Sequence, residues 1–159
     1  MPDNKRGEVI EAAVAQSAAL TKKRFGFLPP KLPLNPDPFW DFIHTHTHEL
    51  DDYPFSGYLL LDLELLAPNT LGSKDEVGTD LTAVGKSSFI SYRPGDASRT
   101  ISILEAADFS DEKIQEFLAE EGREDEYPDI AAPIRQSVEH LKNWLGQVSE
   151  GNTGLLSIG

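Results

Sequence analysis

Tyr58-Leu59-Leu60-Leu61-Asp62-Leu63-Glu64-Leu65-Leu66 is the stretch on which the fold turns. Leu59, Leu61, Leu63 and Leu65 alternate with Tyr58, Leu60, Asp62 and Glu64, and residues two apart share one face of a strand. The alternation predicts a central strand with a leucine face on the core and a second face that turns polar toward its end. Pro68-Asn69 closes it. On that polar face Asp62 and Glu64 stand side by side, where paired carboxylates bind a cation or act as acid and base; solvent exposure on a half-covered sheet is the simpler reading.

Downstream, Thr79–Val84 reads as a short strand. Ser88–Arg93 and Arg99–Leu104 read as a hairpin, since both are rich in β-branched or aromatic residues and Pro94-Gly95-Asp96 between them is turn chemistry. Leu155, Leu156 and Ile158 form a last short strand in a Gly-rich tail, 149–159.

Helices are expected on either side. Gly7 to Arg24 carries Ile10, Ala13, Val14, Ser17 and Thr21 on one face, with Gly26 as its stop. A Pro-rich loop follows over 27–38. Asp37-Pro38 is an N-cap followed by Pro at the first helical position, and Phe39, Ile43, His46, Leu50 and Tyr53 then share a stripe that Pro54 ends. Ser110 caps a helix with Ile114, Phe117 and Leu118 on its apolar side and Gly122 at its end. A longer helix opens at Asp129 or Ala132, with Ile130, Ile134, Val138, Leu141, Leu145 and Val148 at intervals of three and four. Helices that bracket strands rather than alternate with them predict an α+β fold: an antiparallel sheet of about four strands with helices packed mainly on one face, in a single domain over residues 1–159.

The 159 residues include no cysteine, which excludes a thiolate nucleophile, a disulfide framework and cysteine metal sites. Fourteen Lys and Arg stand against 27 Asp and Glu, a net charge of −13. Such a field repels nucleic acid and anionic membranes and attracts basic protein surfaces. No glycine fingerprint for nucleotides and no G-x-S-x-G or S-x-x-K frame is present. Glu8 and Glu11 fall where the apolar region of a secretory leader must lie, and the Leu59–Leu66 run is too short to span a bilayer, so a cytoplasmic protein is expected.

Two functional readings compete. His44, His46 and His48 lie within five residues, next to Glu49 and Asp51. On a strand all three imidazoles share a face and can bind zinc or another divalent metal; on a helix His44 and His48 sit a turn apart, and a third ligand such as His140 must come from elsewhere. That reading is a metal-dependent enzyme or metal-binding protein. Against it, the helical stripe turns His46 toward the core.

The other reading is a protein-binding domain with no cofactor. Trp40 lies beside Asp41, Tyr53 beside Asp51 and Asp52, and Glu120, Glu121, Asp125 and Glu126 fall in an acidic loop. Aromatics ringed by acids combine an apolar anchor with electrostatic steering toward a basic protein. In size, charge and lack of catalytic motif the chain resembles immunity proteins and other inhibitors that occlude a basic toxin or nuclease. A third outcome, a subunit of an assembly, predicts an apolar patch buried between copies in a homo-oligomer.

Overall fold

The run Tyr58–Leu66 is a helix, not a strand. The computed structural model describes residues 1–22 (backbone only for 18–22), 37–48, 50, 53–71, 75–86 and 88–158. Among these residues the helices are α1 (Arg6–Lys22), α2 (Pro38–His46), α3 (Tyr58–Leu66), α4 (Glu76–Ala83), α5 (Pro94–Ala106), α6 (Asp111–Glu120) and α7 (Ala131–Leu145). The strands are β1 (Phe89–Tyr92) and β2 (Gly154–Ser157), paired antiparallel with Ile90 opposite Leu156 and Tyr92 opposite Gly154. The expectation of a sheet of about four strands covered on one face is therefore wrong: the described residues are mostly helical, with one two-stranded ribbon among them.

Each lost strand has a local reason. α3 contains no β-branched residue, and Leu and Glu are strong helix formers. Thr79–Val84 belongs to α4 because the Asp75 side chain caps it, accepting from the Gly78 amide at 3.0 Å. The expected turn Pro94-Gly95-Asp96 is the first turn of α5: Pro94 occupies the position where a missing N–H costs nothing, and Asp96 favours the positive helix end. Arg99–Leu104 continues that helix, whose buried residues are Ala97, Thr100 and Leu104.

The expected helices α1, α2, α6 and α7 are present, though α2 is shorter than expected and α1 buries a different face. Asp37 caps α2, accepting from Phe39 N at 3.1 Å and Trp40 N at 3.3 Å. That helix stops at His46, with Thr47 as its C-cap, so Leu50 and Tyr53 lie beyond its stripe. Ser110 caps α6, which buries Ile114, Phe117 and Leu118. α7 buries Ile134, Val138, Leu141 and Leu145. In α1, Val9 and Ala13 are fully buried, whereas Val14 is 48% exposed. Arg24, Gly26 and the loop 27–36 lie outside the described residues.

The core has two parts. The larger joins α3, α5, α6 and α7, with Leu63, Leu104, Ile114, Leu118, Ile134 and Leu141 at its centre. The smaller joins α1, α2 and α4 through Val9, Ala13, Phe39, Ile43, Val77 and Leu81. β1 is buried on both faces and serves both: Ile90 and Tyr92 face the first part, Phe89 the second, as strand alternation requires. At Gly154 in β2 a Cβ would stand 2.7 Å from Val148, in the segment that follows α7. No helix among the described residues is long and apolar enough to cross a membrane.

Candidate functional site: an uncovered leucine face beside an acidic turn

α3 carries apolar side chains on every side. Leu59, Leu60 and Leu63 are buried, while Tyr58 is 76% exposed, Leu61 46% and Leu65 57%. At about 100° per residue, those three exposed positions fall within a sector of about 60°, so they form one stripe. Apolar residues scattered singly over a surface are ordinary, but a helix with apolar residues on every side belongs in an interior. The outer stripe lacks a cover among the described residues.

Asp62 lies at the edge of this stripe and is 5% exposed. Arg123 holds it with two bonds, Nη1 to Oδ1 at 2.9 Å and Nη2 to Oδ2 at 3.2 Å. The same guanidinium grips Glu126 through Nε at 2.9 Å and Nη2 at 2.8 Å. The Glu126 carboxyl is lowered from the ordinary range by that hydrogen bond, and the Arg123 guanidinium is raised by both acids. Asp62 and Glu64 are thus not a carboxylate pair. On a helix they point to opposite sides, and Glu64 instead accepts from the Asn69 and Leu71 amides at 2.9 and 2.6 Å.

The sequence delivers Arg123 to this position through the end of α6. Gly122 adopts φ 69°, its amide bonds Ala119 O at 3.2 Å, and the Arg123 amide bonds Leu118 O at 2.8 Å. This is a Schellman ending, which needs a left-handed residue. The chain then makes a short 3₁₀ turn, Glu124–Glu126, beside α3. Glu124 and Asp125 are exposed on it, and Glu120 and Glu121 are exposed at the end of α6. The stripe therefore has an acidic flank pinned to it by one arginine.

The remaining predicted residues are placed as follows. Trp40 is 40% exposed and packs against Phe89 in the smaller core, ring centroids 5.6 Å apart. Asp41 is exposed on α2. Tyr53 is half-buried against the larger core, its hydroxyl 2.5 Å from Ser137 Oγ and its ring 5.6 Å from Phe55 and from Trp144; burial raises its phenol above the ordinary value. Trp40 thus lies outside Phe89 of the smaller core while Tyr53 packs against the larger, and Asp51 and Asp52 lie outside the described residues. His44 is exposed on α2, His46 ends the helix with its ring 4.6 Å from Phe42, and His48 is exposed beyond the cap. Among the described residues no group of three or more His, Asp or Glu side chains is arranged to hold a metal ion; Glu49 lies outside them.

A second charged cluster is structural. Asp75, with its side chain 1% exposed, accepts from Arg6 at 2.8 Å and from Ser91, and Arg6 also donates to Thr153 at 2.8 Å. Burial pushes the Asp75 carboxyl up, and bonds from Ser91, Gly78 and Arg6 outweigh it, leaving it below the usual range. These arginine bonds tie α1, α4 and the C-terminal segment together.

Basic side chains elsewhere are likewise engaged. Among those described, Lys5, Arg6, Arg93, Arg99, Lys113, Arg123, Arg135 and Lys142 each meet a carboxylate, and Lys86 lies over the Phe39 ring at 4.5 Å. Among the described side chains, the surplus of acids is left to the surface. Comparison with known proteins finds no matching family model, no matching curated protein and no matching solved structure.

Proposed function

We propose that this chain is a small acidic protein-binding domain, of inhibitor or immunity type, that occludes a basic surface of its partner. The observation that carries the reading is the exposed stripe Tyr58, Leu61 and Leu65 on a helix already apolar on its core side. Interfaces concentrate their energy in a few large apolar anchors, with charge setting the encounter rate and excluding wrong partners. Here the anchors are those three side chains, and Glu120, Glu121, Glu124 and Asp125 supply the steering. The Arg123 clamp keeps this flank in place before binding, which reduces the ordering cost of association.

The test uses the full chain as bait in its native host. Leu61→Lys combined with Leu65→Lys changes only exposed positions, so its unfolding free energy should match the parent within about 0.5 kcal/mol. The parent should retain a basic protein at low salt that the variant loses. Equal retention by parent and variant would refute the reading. So would sedimentation showing that the parent is a homo-oligomer and the variant a monomer, because the stripe would then be covered by a second copy.

A further inference from the structure

A second uncovered feature lies on the smaller core. α1 and α4 pack side by side and leave between them a groove of about 600 Å³. Its floor on α1 is Gly7, Ile10 and Val14, and α4 contributes Val77. Positions 7, 10, 11 and 14 follow the spacing of one helical face. That face is turned about 130° from Val9 and Ala13, which fill the core, and Ile10 at its edge also packs against that core. α1 therefore carries two apolar faces, one buried and one lining the groove, where Val14 stays 48% exposed.

The rim is acidic. Glu11 and Asp80 stand on its two sides, and neither has a hydrogen bond or ion pair through its side chain among the described residues. Glu76, 88% exposed through its side chain, lies 3.4 Å from Arg93. Arg6 also lines the groove, but its guanidinium is committed to Asp75 and Thr153. An apolar floor between unpaired carboxylates matches one kind of occupant, a basic amphipathic helix. Its apolar ridge fits a channel between two helices, and its lysines or arginines reach the acids on either side. An apolar helix with an acidic flank would place like charges together, and a second copy of this chain would do the same at −13 per molecule.

We infer that the α1–α4 groove is a docking site for a basic amphipathic helix of a partner protein, separate from the α3 stripe. Gly7 makes the inference sharply testable. A Cβ there meets nothing within 4 Å, so Gly7→Leu adds a side chain at the groove with no clash at its Cβ. It also replaces a weak helix former, so it should not destabilise α1.

The probe is a fluorescent helical peptide of about 18 leucines and lysines patterned on one face, titrated into the full chain and read by anisotropy. The parent should bind it, and the same peptide with glutamate in place of lysine should not bind. Gly7→Leu should weaken binding about tenfold at unchanged net charge, and Glu11→Lys with Asp80→Lys by at least as much. The stripe variant Leu61→Lys/Leu65→Lys should bind within about threefold of the parent, so failure here and failure at α3 are separable. Equal binding by the parent and Gly7→Leu would overturn the inference, since the peptide would then be held by bulk charge alone. Absence of binding by the parent would overturn it too.

Discussion

Asp75 shows how one residue can hold several segments together. It caps α4, receives Ser91 of β1 and receives Arg6 of α1. Its carboxyl is held below the usual range despite burial, because those donors bond the ionised form. A depressed native pKa adds stability that is complete above the unfolded value, about 3.9, and is lost as pH falls through the native value. Asp75→Asn keeps the volume but gives up the charge, leaving the partly buried Arg6 without its counter-ion. The expected cost is about 2 kcal/mol at pH 7. Urea titrations of both proteins at pH 7 and pH 3 check this, and the gap should narrow at the lower pH. A gap of equal size at both would mean that shape, rather than ionisation, is what Asp75 supplies.

Among the elements, α3 separates what the sequence makes legible from what it conceals. Leucine at 59, 60, 61, 63, 65 and 66 satisfies a period of two and a period of 3.6 equally well. Choosing the strand period puts Leu61 and Leu65 in the core with Leu59 and Leu63. Choosing the helix period splits them, Leu59 and Leu63 inward, Leu61 and Leu65 outward. The exposed stripe and the helix that carries it are therefore hidden by the same ambiguity of period. The absence of Val, Ile and Thr from this run was the available signal. By contrast α6 and α7 were legible because their polar faces make the period unambiguous. The acidic flank was legible as composition, but its attachment to α3 through Arg123 depends on a contact 61 residues away in the chain. Energetically the two sides of α3 should differ sharply. Leu63→Ala empties a fully buried position and should cost about 3 kcal/mol. Leu65→Ala should cost less than about 0.5 kcal/mol. Paired denaturant curves decide the matter, and similar losses at both positions would mean that the outer stripe is covered in solution.

For the whole molecule, charge acts in two opposite directions. With 27 acids against 14 bases and the described bases all engaged, uncompensated carboxylates repel one another across the surface. Raising salt from 10 to 150 mM shortens the screening length from about 30 Å to about 8 Å. That weakens repulsion between distant carboxylates far more than it weakens contacts at 2.8–3.2 Å such as Arg123 with Asp62 and Glu126. The free protein should therefore gain a few degrees in melting temperature over this range. Its complex with a basic partner should respond the other way, because the same screening removes the attraction that speeds encounter. On the proposed reading, in which the exposed α3 leucines and Tyr58 anchor the partner by apolar burial, slower association with a little-changed dissociation rate is the expected pattern. Calorimetry of the free chain and surface-plasmon kinetics of the complex test the two signs independently. A melting temperature that falls with added salt would show that local ion pairs outweigh the surplus charge, and the acidic surface would lose its claim to be the feature the partner reads.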